Sequence, residues 1–328
     1  TADYLEAKRG TVSKSYRQMV EHSISRFCEW VPGELYVAEI TGQMLAAYQK
    51  YLKKLTHIVE KKESYYSVQY KQVRYRKNRV MERVLSDASV TKELAHIKAV
   101  INHVADSGAV SFKIHPFAEV TLPRSQAKET DVEPEVIRKL RDANLENDNH
   151  RLARDVFMLS FYLGGMNYKD ILSADFSDDI LVYCREKTKA ATKVRKSIKV
   201  PILPEAREIL DRRTKRGKWH SGYDYTDSRN EIGYIGKRLK DVVRLLGLPG
   251  YMTFYSARKS FAQYSLDLGI NDAVTDYLMG HSDNKRGVIS YYSRVTPRMA
   301  GVALRRVIDY MDHPEAFSEE LEKAIMAQ

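Results

Sequence analysis

Cysteine is nearly absent. Cys28 and Cys184 are the only two in 328 residues, so one disulfide is the most the chain can form and no Cys-x-x-Cys spacing exists to hold zinc. The nine histidines are scattered without a His-x-x-x-His pair. Long apolar runs are missing too: stretches such as residues 156–163 fall far short of the roughly 20 residues that span a bilayer. The N-terminus carries no basic, apolar and cleavable signal pattern. There is no internal repeat and no low-complexity tract. A disulfide scaffold, a zinc module and a membrane protein are excluded, a reducing cytoplasmic location is expected, and any chemistry must come from ordinary side chains without a cofactor.

Positive charge and tyrosine are plentiful. Lys and Arg number 54 against 43 Asp and Glu, a net charge of +11, and 22 Tyr stand beside 9 Phe and 2 Trp. The hydrophobic fraction of 43% is ample for packed cores. A cationic surface favours an anionic partner, and a Tyr offers a flat apolar face together with a hydroxyl that reaches phosphate or acts as a nucleophile. At roughly 150 residues per domain, the length suggests about two domains.

Helical periodicity runs through residues 13–30 on Tyr16, Val20, Ile24 and Phe27. It resumes after Thr41, a suitable N-cap, on Leu45, Tyr48, Leu52 and Leu55, and again over residues 91–105 on Leu94, Ile97, Ile101 and Val104. The first 110 or so residues therefore read as all-helical. Within them, residues 61–83 interleave cations with Tyr65, Tyr66, Tyr70 and Tyr75. Lys71, Arg74, Arg76, Lys77 and Arg79 of this segment are candidate phosphate contacts along a duplex.

Prolines 116 and 123 break the pattern, which places a first domain at 1–115, a linker at 116–130 and a second domain at 131–328. Pro134 opens a helix, and residues 151–163 form a strongly apolar one. Residues 179–183 and 197–202 read as a β-hairpin joined by the basic stretch 185–196. Helices follow to the end. The last, over 314–328, carries Phe317, Leu321 and Ile325 on one face, suited to docking on its own chain or on a second subunit. The expected fold is mainly α with a small β-hairpin, an α+β second domain.

Three motifs stand in order near the C-terminus: Tyr255-Ser256-Ala257-Arg258, Leu278-Met279-Gly280-His281-Ser282, and Tyr291-Tyr292-Ser293-Arg294-Val295. This order resembles that of the tyrosine recombinases, in which His-x-x-Arg, Leu-Gly-His and a tyrosine about ten residues later follow a hairpin lysine. The resemblance covers most of the chain, since the helical first domain is similar to the family's core-binding domain. It implies two domains that clamp double-stranded DNA, a soluble bacterial protein at the nucleoid, and a tetramer on DNA held through the C-terminal helix.

It also implies roles. Tyr292 is the nucleophile that forms a 3′-phosphotyrosine, with Tyr291 adjacent as the alternative. Arg258 stabilises the phosphorane, and His281 bonds a phosphate oxygen or helps the tyrosine lose its proton. Lys187, with Lys189 competing, protonates the leaving oxygen. Two positions depart from the pattern. Tyr255 stands where His is usual and keeps a hydrogen-bonding role, but with an unperturbed pKa of about 10 it is no neutral-pH base. Asn167, in Gly165-Met166-Asn167, stands where the family carries its first catalytic arginine. Recombinases of Bacteroides-type mobile elements, which the chain resembles here, can lack that arginine. Arg154, with Arg151 next, is the candidate to replace it. A site-specific integrase is thus expected, with a silenced DNA-binding protein of the same fold and a type IB topoisomerase as the rival readings.

Overall fold

The computed structural model describes residues 2–67, 72–124, 126, 128–186, 197–222, 228–281 and 294–319, with backbone alone at 57, 59–67, 72–81 and 228. Contacts divide the chain into one compact unit of residues 1–67 and 74–128 and another that includes 129–328.

The first unit holds α1 (Ala2–Ala7), α2 (Lys14–Trp30), α3 (Gly42–Lys54), β1 (Thr56–Ser67), β2 (Gln72–Val84) and α4 (Asp87–Asp106). Ser13 and Thr41 cap α2 and α3, their hydroxyls accepting from Tyr16 N and Met44 N at 3.2 Å each. Helix α4 starts earlier than its apolar periodicity suggests, because Ser86 caps it and Asp87 sits favourably in the first turn. Leu45, Tyr48 and Leu52 of α3 pack against Val90, Leu94, Ile97 and Ile101 of α4, with Phe27 beside them. Arg26 pairs with Glu93, which also accepts the Tyr48 hydroxyl at 3.4 Å. Phe117 is buried in this core, and Val120 and Leu122 pack on it. The segment expected to be a linker therefore belongs in good part to the first unit.

A larger correction concerns residues 61–83, expected within an all-helical domain. They fall on β1 and β2, which form a two-stranded sheet of their own. Four residues between consecutive strands leave room only for an antiparallel hairpin. Its signal lay in the alternation of Val73, Arg74, Tyr75 and Arg76, a period of two in residues that favour strands.

The second unit comprises α5 (Pro134–Arg141), α6 (Asp148–Tyr162), α7 (Tyr168–Ser173), β3 (Ile180–Tyr183), β4 (Ile198–Pro201), α8 (Pro204–Arg213), β5 (Thr214–Lys215), β6 (Lys218–Trp219), α9 (Ser228–Leu245), α10 (Phe254–Asp267), α11 (Asp272–Leu278) and α12 (Pro297–Asp312). Helix α6 is its axis: Val156, Phe157, Met158, Leu159 and Phe161 are all buried, so the helix is enclosed on every side. Strands β3 and β4 pair antiparallel from Ile180↔Pro201 to Tyr183↔Ile198, turning Leu181, Tyr183, Ile198 and Val200 inward. Ser260 Oγ accepts Val132 N at 2.9 Å, and the Tyr264 hydroxyl donates to Val132 O, which ties the entry of the unit to α10.

Past α12 a short 3-10 turn, Pro314–Phe317, sets Phe317 edge-on to Tyr310 at 5.8 Å. The apolar stripe expected along the C-terminal helix thus begins by docking on its own core, while Leu321 and Ile325 lie outside the described residues. No described helix is long and apolar enough to cross a membrane.

Candidate active site

Helix α6 ends in two successive glycines with left-handed backbone, Gly164 at φ +71° and Gly165 at φ +76°. Ser160 closes the turn: its carbonyl accepts Gly165 N at 2.8 Å and its hydroxyl donates to Met166 O at 2.7 Å. A Cβ at Gly165 would stand 2.8 Å from Arg258 Cγ and 2.9 Å from Arg258 Cα. Only glycine fits there, and its absence of a side chain is what lets α10 close on the turn.

Arg258 is 4% exposed. Nη1 donates to Gly165 O at 2.8 Å; Nη2 donates to Met279 O at 2.6 Å and meets His281 Nε2 at 2.9 Å. Three of the five guanidinium N–H groups are thus held by two turns, which fixes the plane of the fork. Burial first, and the positive charge of Arg185 second, lower its proton affinity.

His281 is placed by the end of α11. Gly280, at φ +68°, takes the left-handed position. Gly280 N bonds Tyr277 O at 2.9 Å and His281 N bonds Asp276 O at 2.8 Å, the paired bonds of a Schellman turn. The His281 ring then faces back along the helix, with Nδ1 2.7 Å from Asp276 Oδ1.

Arg185, just past β3, donates from Nη1 to Gly280 O at 3.2 Å. A Cβ on Gly280 would come within 2.4 Å of Arg185 Cδ, so this glycine too makes room for an arginine. The next residue is held by buried Asp170 of α7, whose Oδ1 accepts Glu186 N at 2.8 Å. Oδ2 of the same carboxylate receives the Asn167 amide at 3.4 Å. Asn167 therefore helps anchor the segment that carries Arg185. Tyr183, beneath it, has its pKa raised by burial and then by Asp170, so it stays a neutral phenol.

Arg258, Asn167 and Tyr255 border one cleft of about 280 Å³ with Lys169 and Phe254. Tyr255, 55% exposed, stands on the first turn of α10. The structure thus brings together Arg258, His281, Tyr255 and Asn167. It does not bring Arg154 to them, which corrects the expectation for that residue. Arg154 donates to Ala143 O at 3.1 Å and pairs with buried Asp155 at 3.3 Å. Asp155 is shared with Arg213, at 2.9 Å, so Arg154 belongs to an ion network over α5, α6 and α8. Arg151 bonds the carbonyls of Leu145 and Glu146 at 3.0 and 2.8 Å, also away from Arg258.

Arg185, two positions before Lys187 in the sequence, also meets the Gly280 turn, and no sequence motif marks it. Lys187, Lys189, Tyr291 and Tyr292 lie outside the described residues, as does Lys71, while Arg74, Arg76, Lys77 and Arg79 fall on β2.

No protein-family model matches the sequence, and no curated protein matches it. Solved structures do. The fold is similar to that of λ integrase in a dimer bound to a core site, at 16% identity and a TM-score of 0.56 over 90% of this chain and 99% of that one. A λ integrase tetramer bound to a Holliday junction matches at 16% identity and a TM-score of 0.56, over 89% of this chain and 76% of that one. The Tn1549 transposon integrase bound to transposon right end DNA matches at 14% identity and a TM-score of 0.53, over 92% of this chain and 97% of that one. The chain thus has the fold of these integrases, mostly helical with three two-stranded sheets among the described residues.

Proposed function

We propose that the protein is a DNA strand-exchanging integrase that works through a tyrosine nucleophile. The observation that carries this reading is the convergence of Arg258, Arg185 and His281 on two glycine turns, within a fold shared with integrases solved on DNA. Two guanidinium groups and an imidazole drawn to one place suit a phosphodiester, whose charge rises as it becomes a phosphorane.

In this reading the Tyr292 oxygen attacks a DNA phosphorus, the bond from phosphorus to the 5′-oxygen breaks, and the leaving oxygen takes a proton from Lys187. The 5′-hydroxyl of a partner strand then attacks the phosphotyrosine, and the sequence runs in reverse without loss of phosphodiester energy. Arg258 and Arg185 stabilise the phosphorane oxygens, and Tyr255 offers a further hydroxyl at the cleft. Arg185, rather than Arg154, supplies the charge that Asn167 lacks. Arg74, Arg76, Lys77 and Arg79 of β2, with Lys71 just before it in the sequence, meet duplex phosphates. The λ integrase dimer on a core site and tetramer on a Holliday junction support assembly of this chain on DNA, with its C-terminal helix as the docking element between copies.

The silenced reading draws on one observation, Asn167 itself, and the presence of Arg185 answers it. The test is covalent trapping on a suicide duplex nicked near the cleavage point. A denaturant-resistant adduct is expected from the intact chain and from Tyr291→Phe, and none from Tyr292→Phe. Binding without any adduct makes the protein a silenced DNA-binding relative.

A further inference from the structure

His281 carries a partner that the strand-exchange chemistry above does not use. Asp276 and His281 are joined twice: their backbones by the 2.8 Å bond of the Schellman turn, their side chains by the 2.7 Å contact of Oδ1 with Nδ1. The spacing alone builds the pair, since the residue three before the helix cap and the residue two after it meet at the end of α11. A carboxylate only accepts hydrogen bonds, so the proton of the neutral ring must be on Nδ1. Nε2 then carries the lone pair. Its neighbour agrees with this assignment, because Arg258 Nη2 at 2.9 Å can only donate. Among the described residues the other charged group bonded to this turn is a cation as well, Arg185 on Gly280 O. Among the described residues Asp276 is the one carboxylate bonded to the ring.

We propose that Asp276 is a positioning residue, holding His281 as the Nδ1–H tautomer so that Nε2 takes the proton of the attacking tyrosine. This rests on the strand-exchange reading. As the bond from tyrosine oxygen to phosphorus forms and the bond to the 5′-oxygen breaks, the phenol proton passes to Nε2, and the leaving oxygen is protonated by Lys187. An Nε2 that bears a proton no longer accepts from Arg258. The Nη2–H it releases is then left for a phosphorane oxygen that approaches in the plane of the fork, so proton uptake and charge stabilisation occur in one step. Asp276 balances the imidazolium, which also lies at the favourable C-terminal end of a helix. Religation returns both protons.

The test has two arms on the full chain. In the first, ring nitrogens of ¹⁵N-histidine protein are read by long-range ¹H–¹⁵N correlation, with His281 assigned by its loss in His281→Gln. The wild type is expected to show Nδ1–H, and Asp276→Ala to lose that form. In the second, adduct formation on a saturating suicide duplex is expected to slow by at least about tenfold in Asp276→Ala, as when other histidine-orienting carboxylates are removed. Duplex affinity is expected to stay unchanged, and Asp276→Glu to recover part of the rate. A ring that keeps Nδ1–H in Asp276→Ala, or a variant that cleaves at the wild-type rate, overturns the proposal. If the wild type forms no adduct, the strand-exchange reading fails and the proton transfer with it. The spectra alone then decide whether Asp276 sets the ring.

Discussion

The two units of the chain handle charge in opposite ways. Between residues 56 and 84, eight Lys and Arg stand against three Glu, a net +5 out of the +11 of the whole chain, and all of these but Lys71 belong to the first unit. Most of them fall on a two-stranded sheet, while the helical core of the first unit buries few polar side chains, among the described residues only Ser23 and His96. The second unit takes charge inside. Asp155, Asp170, Glu231, Asp241 and Arg258 are all buried there, each beside an ionic or hydrogen-bonding partner. Cations strung along strands of 12 and 13 residues, about 40 Å at 3.3 Å per residue, suit contact with many phosphates in turn. Charge buried against carbonyls is pre-oriented and suits action on one phosphate. Affinity and chemistry are therefore expected to separate by mutation.

The sharpest cut falls in the second unit. Arg258→Ala and Arg185→Ala are each expected to slow adduct formation by about 10²- to 10³-fold, the usual cost of losing one donor to a developing oxyanion. The salt dependence of duplex binding is expected to change by no more than one phosphate contact. Arg154→Ala is expected to leave the rate of adduct formation within a few-fold, since that side chain serves Asp155 and the carbonyl of Ala143. Single-turnover trapping of the three variants checks this, and a loss in Arg154→Ala as large as that in Arg258→Ala would restore Arg154 to the site and remove Arg185.

How much of this was legible beforehand depended on whether the signal was local. Ser13, Thr41 and Pro134 announce their helices because a cap or a fixed φ acts within one turn. Arg258 and His281 are legible because motif order ties them to a chemistry. Arg185 is not, because what matters about it is the approach of a hairpin to the Gly280 turn, 95 residues on. Arg154 misled for the complementary reason: it shares the apolar helix that leads to Asn167, but its side chain turns to Asp155 and away from the Gly165 turn. The β1–β2 hairpin was masked by its own cations, whose density drew more notice than their alternation.

The comparison is next broken from the side of the first unit. Arg74, Arg76, Lys77 and Arg79 replaced together by Ala are expected to lower the slope of log K against log salt by about three to four, at roughly 0.9 per phosphate contact. The bound complex, formed at saturating protein and low salt, is expected to cleave at the wild-type rate. Filter binding across a salt series and trapping at saturation measure the two quantities. An unchanged slope would mean that the hairpin does not lie on the duplex.

The smallest effect concerns a histidine buried in each unit. His96 sits with Nδ1 2.8 Å from Ser23 Oγ, which itself donates to Met19 O, so the ring donates from Nδ1. Burial, then Lys92, lowers its pKa. Burial also lowers that of His150, against the opposing charge of Asp241 and with the help of Arg238. A buried base held neutral contributes stability that is present above its unfolded pKa of about 6.5 and is lost as pH falls through the folded value. Acidification from pH 7 is therefore expected to lower the Tm of both units. The slopes should differ. Asp241 has its own pKa raised by burial, so it favours folding as pH falls and offsets part of what His150 loses, whereas the two causes acting on His96 push the same way. His96→Gln is thus expected to flatten the acid limb of the Tm profile more than His150→Gln does. Calorimetry between pH 7 and 5 checks the order, and an equal or reversed ranking would mean that Asp241 does not moderate the second unit.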